Sequence, residues 1–268
     1  MSKSKDKIIR DSVKERYGEI ARSGENEDGG SSCCGGKMID PFDLIQPQKQ
    51  STLMGYSAEE IGSVPADAVM GLGCGNPQAI AALRKGEVVL DLGSGAGFDS
   101  FLAARQVGES GKVIGIDMTP DMIKRAQDNA AKGLFENVEF RLGEIEDMPV
   151  DDNSIDVILS NCVINLSPDK AAVYREAYRV LKSDGRLAIS DMVASGEMPP
   201  EIKNDMNLHS SCVAGALQVD ELEDILKEAG FKDIQIHPKD ESREFINKWT
   251  LGIPIEEYVL SATIEAVK

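Results

Sequence analysis

The sequence is short of basic residues and has no long apolar run. Its 268 residues include 29 Lys and Arg against 46 Asp and Glu, which gives a formal net charge of −17. Nucleic acids and anionic membranes repel such an acidic chain, so we expect neither as a partner and favour a neutral or cationic small molecule. No segment approaches the roughly 20 apolar residues that span a bilayer, and residues 1–15 are charged throughout, unlike a signal peptide. These absences predict a soluble, cytoplasmic protein.

Cysteine and histidine are also scarce. An odd number of cysteines, five in 268 residues, disfavours the disulfide framework of a small secreted protein, so we expect reduced thiols. Of the two histidines, His209 lies close to Cys212 and His237 does not. We expect His209 to be a solvated loop residue rather than part of a site. The five cysteines whose purpose has to be explained are Cys33, Cys34, Cys74, Cys162 and Cys212.

Apolar, β-branched runs alternate with helical segments over the middle of the chain. Strands that alternate with helices of roughly 10–15 residues predict a parallel sheet. After a predicted helix over 220–229, two more strands, 231–237 and 258–267, have no standard crossover helix between them, which predicts an antiparallel edge. The expected fold is α/β, a Rossmann-like, doubly wound and mostly parallel sheet of seven strands. The first five strands begin at or near Val88, Gly111, Asn137, Ser154 and Arg186. One helix, over 76–83, precedes them, and the helices between them cover the segment after Gly97, 120–132 and 169–181.

The first part of the chain differs from this pattern. Residues 5–22 have helical apolar spacing, and residues 23–37 are rich in Gly, Ser, Asn and acids, which predicts an amphipathic helix and then a mobile loop with two of the cysteines. Prolines interrupt residues 38–73, where we expect a short helix near 58–61. The expected organisation is an N-terminal cap over 1–72, a Rossmann-like core over 73–195 and a sheet-completing, substrate-site region over 196–268.

The stretch from Val88 to Gly97 ends a strand and then has glycine at every second position. A bare backbone of this kind is either an ordinary tight turn or the nucleotide-binding corner of an α/β domain. Asp117 ends the next strand, 20 residues after Gly97, and is either a structural acid or the acceptor of two ribose hydroxyls. The loop reads G-x-G-x-G and lacks the G-x-G-x-x-G of a pyrophosphate cradle, which favours a nucleoside without a long phosphate bridge.

Four segments in chain order, 88–97, 115–118, 143–149 and 178–187, resemble the successive motifs of class I S-adenosylmethionine-dependent methyltransferases. The resemblance implies S-adenosylmethionine as cofactor, with the glycine loop under its methionine part and an acid on its ribose. It also implies an adenine flanked by the 144–145 pair. The cofactor-binding residues implied are Asp91, Gly93, Ser94, Gly95, Gly97, Asp117 on the ribose, Met118, Glu144 and Ile145 on the adenine, and Asn161 at the methionyl end.

Three cysteines are isolated in the sequence but converge in the predicted topology. Cys162 lies just past the fourth strand and Cys212 follows the fifth, so both lie at the carboxyl edge of the sheet, where such folds bind ligands. The helix that begins at Pro77 runs antiparallel to the first strand, which returns Cys74 to the same edge. A structural role is an alternative for each: Cys162 is a small residue in an apolar run, Cys212 is ambiguous, and Cys74 has too few apolar neighbours in sequence to be core.

Three thiolates suit a soft, thiophilic centre, either zinc with a water molecule or a trivalent metalloid that keeps a lone pair. The cysteine segments 71–77, 160–170 and 212–216, and the closing segment 258–266, resemble the arsenite methyltransferases. This narrower resemblance covers about residues 50–268. It implies that As(III), as arsenite or its thiol conjugates, is the substrate, and that a thiol reductant, thioredoxin or glutathione, is a partner.

The hypothesis from these residues is a methyl transfer to arsenic, for arsenic detoxification. As(III) bound by three thiolates would direct its lone pair at the methyl group of S-adenosylmethionine. Two alternatives stay open: a class I methyltransferase that acts on a small organic metabolite and has structural cysteines, and a non-catalytic, thiol-based metalloid-binding protein. The substrate-binding and catalytic residues implied by the resemblance are Cys74, Cys162 and Cys212, with Cys33 and Cys34 as further candidates for substrate binding.

Overall fold

The computed structural model describes residues 2–23, 46–249 and 253–268. Of the Gly-rich loop predicted over 23–37, the structure describes Ser23, the last residue of the first helix; the rest, with Cys33 and Cys34, lies outside the described residues. Among the described helices, none is both long and apolar enough to cross a membrane.

Eight strands of the described chain form one sheet: β1 Val88–Leu92, β2 Lys112–Asp117, β3 Val138–Leu142, β4 Ile155–Asn161, β5 Leu181–Ala194, β6 Leu217–Gln218, β7 Lys232–Lys239 and β8 Val259–Val267. Their order is β3-β2-β1-β4-β5-β8-β7, and the short β6 pairs with the end of β5 off this path. The first five strands pair in parallel, whereas β8 pairs antiparallel with both β5 and β7. The predicted seven-stranded, mostly parallel sheet with an antiparallel edge is confirmed, and β6 is an addition to it.

The helices follow the predicted order, with two differences at element ends. The helix predicted to reach Leu83 ends at Ala81, because Ala82 takes a left-handed φ of 45°. Pro77 is the N-cap residue, and just before it the side-chain oxygen of Asn76 accepts a hydrogen bond from the N–H of Gln78 at 3.0 Å. β5 begins directly after the preceding helix, at Leu181. The helices are α1 Ser2–Ser23, α2 Pro47–Leu53, α3 Ala58–Gly62, α4 Gln78–Ala81, α5 Phe98–Val107, α6 Pro120–Gly133, α7 Lys170–Val180, α8 Pro200–Lys203, α9 Met206–His209, α10 Val219–Ala229 and α11 Arg243–Ile246.

The central strands of the sheet, β1, β4 and β5, are buried on both faces, and the strand order reverses between β1 and β4. In β1, Val89 packs into one apolar cluster and Leu90 and Leu92 pack into another. Burial of each such side chain contributes about 1.5–3 kcal/mol. A strand-order reversal is where open α/β sheets have a ligand crevice, at the carboxyl ends of the strands. We therefore expect a ligand site among the residues that follow β1, β2 and β4.

The N-terminal helix α1 lies across this edge of the sheet. At its end, Arg22 forms an ion pair with Asp121 of α6. Nearer its start, Arg10 donates to a carboxylate oxygen of Glu146 at 3.0 Å. Val13 between them is buried. The predicted helix over 5–22 is confirmed, and its contacts place it over the crevice.

Candidate active site

A pocket opens at the carboxyl ends of β1, β2 and β4. Its walls combine the glycine loop after β1, the segment after β2, the end of β4, the turn after α9 and one face of α1. The pocket thus joins predicted cofactor residues to two of the predicted thiols. Residues that represent these walls are Tyr17, Gly95, Asp117, Asn161, Cys162 and Cys212.

The glycine loop opens directly into this pocket. Gly93 and Gly95 have positive φ angles of 65° and 51°, which residues with a side chain adopt at a cost. A Cβ at Gly93 would lie 2.4 Å from the side chain of Val163, whereas a Cβ at Gly95 would meet nothing within 4 Å. The hydroxyl of Ser94 is buried and has no hydrogen-bond partner among the described residues. An open backbone beside an unsatisfied hydroxyl fits the polar methionine part of the predicted cofactor.

Asp117 ends β2 at the edge of the pocket. Its carboxylate oxygens accept hydrogen bonds from the backbone N–H groups of Thr119 and Gly95, at 2.8 and 3.0 Å. Each oxygen keeps a further lone pair, so two ribose hydroxyls can donate to this carboxylate. Burial raises the pKa of Asp117 above its usual value. Asp91 lies deeper and accepts a hydrogen bond from Ser100 at 2.6 Å, and burial raises its pKa well above the usual range.

Eight of the ten predicted cofactor residues line the pocket, and Glu144 and Gly97 do not. Glu144 faces α1 instead, where it pairs with Arg10 at 3.4 Å. Its neighbour Ile145 is buried and lines the pocket. Gly97 begins α5 with a φ of 96°, and a Cβ there would lie 2.7 Å from the ring of Phe101. Close packing and the turn into α5 therefore account for this glycine.

Asn161, the last residue of β4, connects the two sides of the pocket. Its side-chain carbonyl accepts a hydrogen bond from the N–H of Cys74 at 3.0 Å, and its amide donates to the carbonyl of Gly75 at 2.8 Å. The same amide lies 3.0 Å from the Tyr56 hydroxyl and 3.2 Å from the Asp99 carboxylate. One side chain thus fixes the backbone around a thiol and links it to a buried acid next to the glycine loop.

Cys74 lies between two glycines that allow a close approach to the sheet. A Cβ at Gly73 would lie 2.7 Å from the side chain of Asn161, and one at Gly75 would lie 2.9 Å from that of Ser190 on β5. Cys74 itself is only 1% exposed and belongs to an apolar cluster. The expectation that it has too few apolar neighbours to be core is wrong, because those neighbours come from distant elements rather than from adjacent sequence.

Cys162 and Cys212 share an unusual backbone conformation. Their φ angles are 57° and 62°, in the left-handed region that residues with a side chain rarely adopt. Such outliers gather at functional sites. The N–H of Cys162 donates to the carbonyl of Ser190 at 2.8 Å, and the thiol of Cys212 donates to the carbonyl of Cys162. Both residues line the pocket in this conformation.

The structure brings together three thiols that are 88 and 50 residues apart in the sequence. The thiol of Cys212 lies against the carbonyl oxygen of Cys162, and in addition to burial Cys212 and Cys74 both raise the pKa of the Cys162 thiol, although the three sulfurs are not all within 4.8 Å of one another. The sulfurs of Cys74 and Cys162 and a carboxylate oxygen of Asp191 lie within 4.8 Å of one another. Burial raises the pKa of Cys74 to about 11 and that of Cys162 well above its usual range. These two side chains are therefore neutral thiols in the free protein at neutral pH.

Asp191, on β5, supports the turn after Cys162 and was missed in the sequence. Its carboxylate accepts hydrogen bonds from the N–H groups of Ile164 and Asn165 at 3.0 and 3.3 Å, and from the Asn165 amide at 2.9 Å. Burial raises the pKa of Asp191 to about 6. The sequence signal, a lone acid in an apolar strand, was present but did not show which turn the acid would face.

Sequence reasoning also missed the part of α1 in this site. Arg10, Arg16 and Tyr17 line the pocket from that helix. Burial, and then the nearby thiols of Cys212 and Cys162, raise the pKa of Tyr17 well above its usual value. In the sequence Tyr17 belongs to the apolar face of an amphipathic helix, and that spacing does not show which pocket the face covers.

His209 is not the solvated loop residue that we expected. It ends the short helix α9, is half-buried, and places a ring nitrogen 3.2 Å from the carbonyl oxygen of Leu166. Burial lowers its pKa. Asp205 caps α9 by accepting hydrogen bonds from two of its N–H groups, which makes a helix of a segment that looked like a loop.

Two curated relatives are arsenite methyltransferases by name. One, from Halobacterium salinarum, is 50% identical over 266 residues, which cover 97% of this chain and 66% of the relative. The other, from Aquipseudomonas alcaligenes, is 45% identical over 168 residues, which cover 60% of this chain and 48% of the relative. The chain thus spans about half to two thirds of the length of these relatives.

The sheet topology and the glycine-loop pocket define the class I S-adenosylmethionine-dependent methyltransferase fold. A family model described as a methyltransferase domain matches residues 83–230. The crystal structure of an arsenic(III) S-adenosylmethionine methyltransferase from Chlamydomonas reinhardtii is 33% identical with a TM-score of 0.62, and the match covers 82% of this chain and 73% of that one. The chain belongs to the methyltransferase-domain family and, within it, to the arsenite methyltransferases.

Proposed function

We propose that this chain transfers the methyl group of S-adenosylmethionine to As(III) held by the thiols of Cys74, Cys162 and Cys212. One observation carries the proposal: Cys162 and Cys212 line the pocket that the glycine loop and Asp117 also line, and the sulfur of Cys74 lies within 4.8 Å of that of Cys162. The relatives named as arsenite methyltransferases support the same substrate. Arsenite, free or as a thiol conjugate, is then the methyl acceptor.

The cofactor side of the pocket fits S-adenosylmethionine. Asp117 would accept the ribose hydroxyls, and the buried side chain of Ile145 would pack against the adenine. The open backbone at Gly95 and the unsatisfied hydroxyl of Ser94 would receive the methionine part. When bound, S-adenosylmethionine supplies a methyl group on a positively charged sulfur, which a lone pair can take by in-line displacement.

The thiol side needs no separate base. Each thiol that binds arsenous acid gives its proton to a departing hydroxyl, so three As–S bonds form and three water molecules leave. Arsenic keeps its lone pair because the three As–S bonds use only three of its five valence electrons, and the lone pair confines the three sulfurs to one side of a pyramid. The role of the three cysteines is therefore to hold the metalloid with that lone pair directed at the cofactor side.

Catalysis is then mostly positioning. Holding the lone pair and the methyl group in line at about 3–3.5 Å lowers the activation barrier by on the order of 7–11 kcal/mol. Asn161 suits this task because it contacts both the Cys74 backbone and the Asp99 carboxylate next to the glycine loop. In the transfer an As–C bond forms, and the C–S bond breaks with its electron pair left on sulfur.

The transfer oxidises arsenic by two electrons, so a reductant has to return it to As(III). We include a thiol reductant, thioredoxin or glutathione, in the proposal for this reason. Cys33 and Cys34, which lie outside the described residues, are candidate contacts for arsenic or for that reductant. The cytoplasm, where thiols stay reduced, is the proposed setting.

The direct test incubates the chain with labelled S-adenosylmethionine, arsenite and a thiol reductant, and separates methylated arsenic from other products. We expect methylarsenical formation that depends on all three cysteines. Label found only on an organic metabolite, with that activity retained in Cys162→Ser, would favour a methyltransferase with structural cysteines. Arsenite binding without any methylated product would favour a non-catalytic metalloid-binding protein.

A further inference from the structure

We infer that Arg16, on α1, is a positioning residue for the thiol of Cys212. The inference rests on the proposed function, because it assigns a role within the same thiol site. The sheet holds the other two thiols: Asn161 at the end of β4 binds the backbone of Cys74, and a β5 carbonyl binds that of Cys162. Cys212 instead lies in a turn after α9, outside every strand and helix. Its thiol donates to the carbonyl oxygen of Cys162, and the turn that presents this thiol is held on its other side by contacts with α1.

The side chain of Arg16 crosses from α1 to that turn. Its Nη1 lies 2.8 Å from the hydroxyl oxygens of Ser210 and Ser211, and 3.2 Å from the carbonyl oxygen of Asn207. Hydrogen bonds from a charged donor are about twice as strong as neutral ones. The two serines directly precede Cys212, so this contact fixes the chain next to the thiol.

The directions of these hydrogen bonds are mutually consistent. The hydroxyls of Ser210 and Ser211 each donate to the carbonyl of Asn207, at 3.0 and 2.9 Å. Their protons therefore point at that carbonyl, and their lone pairs remain available to accept from Arg16. The guanidinium completes a small network that the turn cannot form by itself.

The neighbouring Tyr17 contacts the same turn from α1. Its hydroxyl lies 3.5 Å from the carbonyl oxygen of Ser210, and its ring packs against the apolar cluster that contains all three cysteines. Backbone bonds within the turn, such as Cys212 N–H to the carbonyl of His209 at 3.0 Å, set its shape but do not link it to α1. Two consecutive residues of α1 supply that link.

Support for this turn matters because Cys212 has the left-handed backbone described above, with a φ of 62°. Residues with a side chain hold that conformation only where the surroundings fix it. Loss of Arg16 would free the turn, and the third sulfur would leave the position in which it completes the arsenic site. The helix α1 therefore both lines the pocket and positions one of the three thiols.

The test compares Arg16→Ala with Arg22→Ala, an arginine of the same helix that pairs with Asp121 and does not line the pocket. Arsenite is titrated into each reduced protein while the emission of Trp249, the single tryptophan, is followed, since Trp249 lines the pocket. We expect Arg16→Ala to weaken arsenite binding about tenfold, the scale of a lost hydrogen bond to a charged group. Arg22→Ala should bind like the unmodified chain, and Arg16→Lys should recover part of the affinity.

A double-mutant cycle separates positioning from general destabilisation. In a Cys212→Ser background, Arg16→Ala should cost no further arsenite affinity, because its effect passes through that sulfur. In a Cys74→Ser background, the loss caused by Arg16→Ala should persist. An equal loss in the Cys212→Ser background, or an equal loss in Arg22→Ala, would overturn the inference.

A second measurement keeps this inference distinct from the proposed function. If the unmodified chain does not bind arsenite, the proposed function fails, and alkylation of the thiols, followed by mass spectrometry, then decides the role of Arg16. Arg16→Ala should change the alkylation rate of Cys212 relative to that of Cys162, and unchanged relative rates would contradict the inference. Circular dichroism melts identify any variant that fails to fold, and Arg16→Lys then replaces Arg16→Ala in both measurements.

Discussion

The cofactor side and the thiol side of the pocket are built from different kinds of sequence. The cofactor side comes from the contiguous stretch 88–97 and from Asp117 at the end of the next strand, so local backbone geometry makes most of it. The thiol side comes from Cys74, Cys162 and Cys212, which meet only because strands and α1 hold three distant segments at one edge. Changes to one side should therefore spare the other, except at residues that touch both.

Cys162→Ser should have the largest effect and should separate the two sides. Its thiol interacts with those of both Cys74 and Cys212, and a serine oxygen is a poor replacement for a thiolate on a soft centre. We expect arsenite methylation to fall by more than about 100-fold, because residues that only support a ligand already cost roughly 10–100-fold. S-adenosylmethionine affinity, measured by calorimetric titration, should stay unchanged. A matching loss of cofactor affinity would show that the sides are not independent.

Asn161→Ala should affect the cofactor side and the thiol side together, because this side chain contacts both. We expect affinities for arsenite and for S-adenosylmethionine to fall together, and kcat/KM to drop by about 10- to 100-fold, the scale of a misplacement near 1 Å. Asn161→Asp keeps an acceptor for the Cys74 N–H but cannot donate to Gly75 and adds a charge beside Asp99, so it should not restore activity. Loss of only one of the two affinities would contradict this role.

The local part of the molecule could be predicted from the sequence. Apolar runs predicted β1 to β5 because hydrophobic period and composition depend on a few neighbouring residues, and for the same reason the glycine spacing located the loop that lines the pocket. The burial of Cys74 could not be predicted, since its apolar neighbours belong to distant elements. The spacing of residues 5–22 predicted a helix, but only the tertiary fold shows that Arg16 and Tyr17 face the thiols.

Gly95→Ala should affect the cofactor side alone. A Cβ there would stand in the open space that faces the pocket, at a positive φ. We expect S-adenosylmethionine binding to weaken by about 1 kcal/mol, the low end of an overpacking penalty, with arsenite affinity unchanged. Gly62→Ala is the matched control, because Gly62 also has nothing within 4 Å of a Cβ but lies outside the pocket. Equal effects of the two changes on cofactor affinity would contradict the assignment of the loop.

Glu144→Gln should have the smallest effect, and it tests whether Glu144 belongs to the cofactor side. The resemblance to methyltransferases predicts Glu144 beside the adenine, whereas the structure pairs it with Arg10 and Lys14 of α1. We expect the free energy of unfolding, from urea titration, to fall by less than about 1 kcal/mol, as for other exposed ion pairs. Cofactor affinity should stay unchanged. A loss of S-adenosylmethionine affinity as large as that of Gly95→Ala would instead support a contact between Glu144 and the adenine.

X-ray absorption at the arsenic K-edge, on an equimolar complex of the reduced chain with arsenite, tests the three-thiol site most directly. We predict three sulfur neighbours and no oxygen in the unmodified chain, and two sulfurs with one oxygen in Cys162→Ser. Oxygen neighbours in the unmodified chain, or a sulfur count that Cys162→Ser leaves unchanged, would contradict the binding of As(III) by Cys74, Cys162 and Cys212.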